Sequence, residues 1–411
     1  MTGTPPTPSR RDYLRGGGAL VAGSLLAGCS GNGSNAESEK TSDESTTDEG
    51  TSAGAGETTT KDGGPYSVSM APMGDVEFES VPESAFVLFP QYADMAVALG
   101  HGDAVNSVYV PEMSGKTMNT YYDRLDGVSF EWKGLPDPFG NGISKELLYQ
   151  LDSDVHFLDP AYLSTQKGWS KSDIDKIGNS LAPWFGNFYS GTNGQPPKEY
   201  RNGYQYYGLW DMFGKVASVF QERERYDALA KIHSNVLSTI EEKLPPKSER
   251  PTAVRVTFSD GKFYTYHLNK PGYWLADTRP LGAKDAFADE DWGSLWGTVD
   301  YETMLEVDPD VILHLWGISP GYYVDEMEKK IRNHPAGGKL SAIENDRFYA
   351  AGMRYQGPIM NLFQLEMTAK QLYPDRFGAW PGYEKGKPYP EIPKEERLFD
   401  RKKLAAIITG K

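Results

Sequence analysis

The chain of 411 residues contains a single cysteine, Cys29. No disulfide can form within it, so whatever folds is held by an ordinary apolar core. Histidine is also scarce. His101, His156, His233, His267, His314 and His334 stand singly, without the i, i+4 or short-loop spacing that gathers ligands on one metal ion. His156 and His314 fall in expected strands, where a hydrogen-bonded structural role is commoner. No apolar run reaches the roughly 20 residues that a membrane-spanning helix needs. Basic residues are outnumbered, 42 Lys and Arg against 57 Asp and Glu, for a net charge of −15. Phosphate backbones bind basic surfaces, so this balance argues against nucleic acid as a partner. No nucleophile elbow of the Gly-x-Ser-x-Gly kind and no carboxylate pair stands in a convincing context for acid–base work, which argues against catalysis.

The lone thiol closes the run Leu26-Ala27-Gly28-Cys29, at the end of an apolar stretch that opens after Ser9-Arg10-Arg11-Asp12-Tyr13-Leu14. A positive start, a short apolar span and small residues before one reactive position make up a secretory leader, not a spanning helix. The paired arginines resemble a twin-arginine export signal, and the run ending at Cys29 resembles a lipoprotein processing box. Residues 1–29 are therefore expected to be a signal peptide with Cys29 lipidated. Residues 30–64 are dominated by Ser, Thr, Gly, Asp and Glu and hold no aromatic residue. Such a segment buries too little apolar area to offset the entropy of ordering and is expected to act as an acidic leash.

An internal repeat organises the remainder. Ile143-Ser-Lys-Glu-Leu-Leu-Tyr-Gln-Leu-Asp-Ser-Asp-Val155 aligns without a gap on Val299-Asp-Tyr-Glu-Thr-Met-Leu-Glu-Val-Asp-Pro-Asp-Val311. Each copy carries an N-cap (Ser144, Asp300), a Glu in the first helical turn (Glu146, Glu302), an Asp-x-Asp turn and then a β-rich run. Each reads as a helix returning to a buried parallel strand, half of a βαβ unit. Between the copies, Leu229, Ile232, Val236, Ile240 and Leu244 recur at helical spacing until Pro245-Pro246.

The sequence thus predicts an α/β chain with an N-terminal lobe over 65–221, a connecting helix over 222–245 and a C-terminal lobe over 246–411. Strands are expected at Ala85–Phe89, Val105–Val110, around Trp184, at Thr252–Phe258 and at Phe263–Tyr266. Helices are expected at Tyr92–Leu99, Ser172–Leu181 and Ile359–Leu372. A Gly-, Pro-, Asn- and Tyr-rich excursion from Gly186 to Tyr207 reads as a surface insertion bordering a site.

Taken in order, Val81-Pro82-Glu83-Ser84 before a strand, the helix ending Ala98-Leu99-Gly100, the repeat, the midchain helix and Leu281–Phe287 resemble the substrate-binding proteins of ABC importers for ferric siderophores, haem and cobalamin. The resemblance covers residues 75–380. It implies two Rossmann-like lobes with mostly parallel sheets, joined by one long helix, with the ligand in the cleft between them. It also implies that Glu146 and Glu302 dock the lobes on the permease, which works with ATPase subunits; the same residues equally serve as helix N-terminal charges.

The ligand that the resemblance implies is a metal chelate, a ferric siderophore first, haem or cobalamin otherwise, with no resident cofactor and no metal site of the protein's own. Rings expected where strand-to-helix loops open are Tyr92, Tyr109, Tyr162, Tyr189, Trp274, Trp316 and Tyr355. Arg354 is the candidate partner for an anionic group. The expected protein is a monomer on the outer face of the cell membrane. The competing readings are a binding protein or sensor for another small solute, and an extracellular hydrolase.

Overall fold

The computed structural model describes residues 64–411 apart from 141 and 293–295, so the leader, the leash and Cys29 lie outside the described residues. The described chain opens with an antiparallel hairpin, β1 (Tyr66–Met70) and β2 (Gly74–Phe78). Its alternating pattern turns Val68, Met70, Val76 and Phe78 inward.

Next come β3 (Ala85–Val87), α1 (Pro90–Ala98), α2 (Pro111–Tyr122), α3 (Lys145–Leu151), β4 (Val155–Phe157), α4 (Pro160–Leu163) and α5 (Lys171–Ser180). Pro90 and Pro111 sit at helix starts, where the missing N–H costs nothing. α1 ends at Gly100 with φ +80°, and every one of its residues is buried. β3 and β4 pair in parallel, and single bridges from Ala85 to Val105 and from His156 to Trp184 widen this first sheet. The strand expected over Val105–Val110 shrinks to that one bridge. Ser107 is the reason: its hydroxyl accepts from the Val87 amide (3.1 Å) and donates to the Val87 carbonyl (3.0 Å), replacing the backbone ladder. Trp184 likewise contributes a bridge rather than a strand.

After α6 (Leu209–Val219) runs α7 (Arg223–Lys243), the expected connector. Its 21 residues span about 32 Å, and Leu229, Ile232, Val236 and Ile240 form its buried stripe. The second half holds β5 (Thr252–Ser259), β6 (Lys262–Tyr266), β7 (Lys284–Asp285), β8 (Trp296–Val299), α8 (Tyr301–Val307), β9 (Val311–His314), α9 (Val324–Arg332), α10 (Ser341–Glu344) and β10 (Phe348–Ala350). Its sheet order is β10-β9-β5-β6-β8, with β7 also on β5. β10, β9, β5 and β7 are parallel neighbours, whereas β6 enters antiparallel. Val254, Val256, Phe258, Met304, Ile312, Ile331 and Phe348 make its core.

The chain closes with α11 (Pro358–Leu372), α12 (Pro374–Phe377) and α13 (Arg401–Thr409). α11 leaves the second sheet but packs on α1, α2, α6 and α7.

The repeat is structural. Ser144 accepts from the Leu147 amide and Asp300 from the Thr303 amide, so both copies start on a side-chain cap. Both stop at an aspartate in the left-handed region, Asp152 (φ +45°) and Asp308 (φ +34°). Asp154 then accepts from the amides of Glu83 and Ser84 (2.9 Å each), and Asp310 from that of Thr252 (2.8 Å). In each half the last aspartate of the turn pins the start of the neighbouring parallel strand, and the registers begin alike, Ala85 opposite Val155 and Ala253 opposite Val311.

Candidate functional site

Parallel strands send their loops outward at the carboxyl ends, and clefts of α/β proteins form there. The loops after β3, β4, β9 and β10 deliver Phe89, Tyr162, Trp316 and Tyr355, and these rings meet those of Phe188 and Trp274. Phe89 lies 5.0 Å from Tyr355 and 5.4 Å from Tyr162 between ring centres. Phe188 is 4.2 Å from Tyr162 and 5.5 Å from Trp274. Tyr355 touches Trp274 (5.4 Å), Trp316 (5.5 Å) and Tyr109 (6.5 Å). The result is an aromatic seam with rings from both halves, all mostly buried.

Local polar groups hold it. Asp159, between β4 and α4, accepts from the amides of Ala161 (2.7 Å) and Phe188 (2.8 Å) and from the Tyr204 hydroxyl (2.6 Å). Burial pushes its carboxyl up to about 6, against the pull of those donors. Gln91 on α1 donates to the Tyr273 hydroxyl at 3.1 Å, a second tie across the seam. Gly191 lets the indole of Trp274 approach: a Cβ there would stand 2.4 Å from its Nε1.

Arg354 gives the seam its charge. It is 6% exposed, with its guanidinium carbon 4.5 Å from the Trp274 ring centre and 5.0 Å from that of Tyr355. Nη2 donates to the Tyr355 hydroxyl at 3.2 Å, and Nε has no partner among the described residues. No carboxylate of the described residues lies within ion-pair distance of it. Burial raises the phenols of Tyr109, Tyr162, Tyr355 and Tyr322, the last to about 12. They are therefore neutral near pH 7 and cannot offset the cation. The other buried arginines are matched, Arg255 by Asp277 and Arg401 by Glu366. Burying an unpaired charge is costly, and an anionic guest would relieve that cost.

Six of the eight residues expected to bind ligand thus stand together: Tyr109, Tyr162, Trp274, Trp316, Arg354 and Tyr355. Tyr92 stands apart, in the core of the first half. Its hydroxyl accepts from the Asn187 amide (2.9 Å) and faces the Met212 sulfur (3.2 Å), and its ring stacks on Phe157. Tyr189 is at the margin, half-buried against Phe188 and Tyr204. Phe89 and Phe188 also belong to the seam, beyond the rings expected from the sequence. Phe89 ends an apolar run and reads as strand, while Phe188 lies in the 186–207 excursion, whose composition was the only signal.

Glu146 and Glu302 are exposed in the first turns of α3 and α8. Glu146 accepts from the Ser144 hydroxyl at 2.9 Å, and its own amide and Ser144 hold its carboxyl below the usual range. Among the described residues no group of three or more His, Cys, Asp or Glu is placed to hold a metal. His156, His233 and His314 are pulled down to about 4 by burial. A cavity of about 250 Å³ lies away from the seam, beside Arg124, Glu391, Arg397 and Arg401. Its ions largely answer one another, Glu391 bridging Arg124 and Arg397.

The family model described as periplasmic binding protein matches residues 87–355, a span that runs from β3 to Tyr355 and takes in the whole seam. The chain belongs to the periplasmic binding protein family. No curated protein sequence matches it. Among solved structures, this periplasmic binding protein is similar to one from Veillonella parvula, with 18% identity and a TM-score of 0.54 over 76% of this chain and 98% of that one. Helicobacter pylori Ceue with Ni(II) bound aligns with 14% identity and a TM-score of 0.51, over 76% and 90%. The iron uptake ABC transporter substrate-binding protein PiuA of Streptococcus pneumoniae aligns with 16% identity and a TM-score of 0.50, over 74% and 98%. At such identities the likeness is one of fold. A periplasmic binding protein holds a solute and passes it on, so this chain is not an enzyme, and its family places it outside the cytoplasm. Among the described residues no helix is long and apolar enough to cross a membrane.

Proposed function

We propose that this periplasmic binding protein captures a metal chelate, a ferric siderophore first, with haem or cobalamin as the other occupants, and delivers it to an ABC permease driven by ATPase subunits. Arg354 carries the reading: a buried cation without a carboxylate, walled by Trp274, Trp316, Tyr109, Tyr162 and Tyr355, suits a ring-bearing guest with negative oxygens. The similar Streptococcus pneumoniae protein is an iron uptake component and that of Helicobacter pylori holds Ni(II), which supports a metal-linked solute. The guest brings its own metal ligands, since the seam supplies phenols and indoles rather than a histidine or carboxylate set. Glu146 and Glu302 would meet basic pockets on the permease, one from each half, fixing orientation through charge-assisted pairs. Cys29, lipidated, would tether a monomer to the outer membrane face, with 30–64 as the leash; more than one acyl chain is needed for stable anchorage.

The test is titration of the purified protein with a panel of ferric siderophores, haem and cobalamin, read by quenching of tryptophan emission. Trp274 and Trp316 stand in the seam as reporters. Saturable quenching by one member is expected. No response to any member would overturn the chelate assignment.

A further inference from the structure

The family match ends at Tyr355, yet the chain continues to Lys411. Part of this extension touches both halves within five residues. Tyr389 is wholly buried on the first half: its amide donates to the Thr120 carbonyl at 2.7 Å, and its carbonyl accepts from Arg124. Its ring leans on Tyr121 and Phe363, and its hydroxyl reaches Glu366 at 3.1 Å. Four residues earlier, Lys385 extends to the second half. Its Nζ donates to the Tyr322 carbonyl at 3.0 Å and lies 3.0 Å from the Tyr323 ring centre. Tyr322 follows the Trp316 loop, and its phenol is in electrostatic reach of Arg354 and of Tyr109.

We propose that residues 378–389 form a clasp across the mouth of the aromatic seam, anchored at Tyr389 on the first half and latched by Lys385 on the second, and that releasing this latch lets the halves part for solute entry and exit.

The two ends differ in strength as a clasp requires. Tyr389 is fixed by backbone, ring and hydroxyl contacts together. Lys385 has one hydrogen bond and one ring contact, and no carboxylate of the described residues lies within ion-pair distance of it. Burial pulls its ammonium down to about 8, the mark of a group partly withdrawn from water. The chain has open space on both sides of Lys385. Gly382 (φ +87°) and Gly386 (φ +80°) adopt left-handed backbone, and no atom lies within 4 Å of where their side chains would be, so the loop is wedged against nothing there. A conformational step of this kind governs rates rather than the contacts that select the guest.

The proposal rests on the seam being the solute site, so its test uses no solute. Cysteines replace Gln150 on α3 and Glu306 on α8, both exposed and one in each half, in a chain whose sole native thiol is removed by Cys29→Ser. Spin labels on the pair report the distance between halves. Lys385→Gln and Lys385→Met are expected to broaden that distribution toward longer distances and to raise the open population about 5- to 10-fold, as loss of one charge-assisted hydrogen bond would. Lys385→Arg keeps charge and reach and should match the parent. Identical distributions for the parent, the Gln variant and the Met variant would overturn the clasp. A chelate titration that fails while the distance shift appears would sink the solute assignment alone.

Discussion

Asp94 on α1 accepts from the amide of Ile359 at 3.0 Å, joining residues 265 positions apart. The same carboxylate oxygen takes the Met360 amide at 3.2 Å, and the other takes the Tyr122 hydroxyl. The first helix of the first half thus caps the helix that leaves the second sheet.

Burial pushes the Asp94 carboxyl up to about 7 despite those three donors. The unfolded chain releases the same proton near pH 4. The folded state therefore binds it more tightly, so this group's stabilisation is complete below about pH 4 and is lost as pH rises through about 7. Asp94→Asn should flatten the stability profile between those values. Asp94→Ala, which leaves two amides and a phenol without an acceptor, should cost about 2–4 kcal/mol. Urea midpoints measured from pH 4 to 8 check both; a slope unchanged in the Asn variant contradicts the assignment.

Arg354→Met separates binding from folding. Removing an unpaired buried cation in favour of an apolar side chain of similar length should leave stability unchanged or higher. Affinity for the chelate should fall about 10- to 100-fold through loss of a charge-assisted contact. Thermal unfolding and the quenching titration read the two effects. A large drop in melting temperature with affinity intact would make the arginine a structural residue.

Reversing both docking charges, Glu146→Lys with Glu302→Lys, should cut transport in cells or reconstituted vesicles by about tenfold or more while the solute affinity of the purified protein stays the same. Each single variant should do less, because the other half still engages. Transport at the wild-type rate in the double variant removes the docking role and leaves the glutamates as helix-end charges.

Cys29→Ser should move the protein from the membrane pellet to the medium, or leave its leader uncleaved. Fractionation with immunodetection decides. Retention in the pellet at the wild-type level would mean that something other than a lipid on Cys29 holds it there.

Much of the secondary structure was legible because its causes act over a few residues. Ser144 and Asp300 start their helices, Asp152 and Asp308 stop them, and the stripe from Leu229 to Ile240 marks the connector. The strand expected over Val105–Val110 failed for a reason no local pattern shows: the Ser107 hydroxyl bonds to Val87 across the sheet. The site was partly legible. Rings placed after strands were good candidates, yet Tyr92 turns into the core, where the Asn187 amide and Phe157 receive it. Phe89 turns to Tyr355, although as the end of an apolar run it looked like strand interior.

By itself the sequence determined the paired half-units and the stiff helix between them, since caps and apolar spacing act among near neighbours in the chain. Tertiary structure alone decided that Arg354 would be buried between Trp274 and Tyr355 without a carboxylate, and that Lys385 would reach Tyr322. Those arrangements depend on how two sheets and a returning helix come together, and a side chain's partners across that distance leave no periodic trace in the residues beside it.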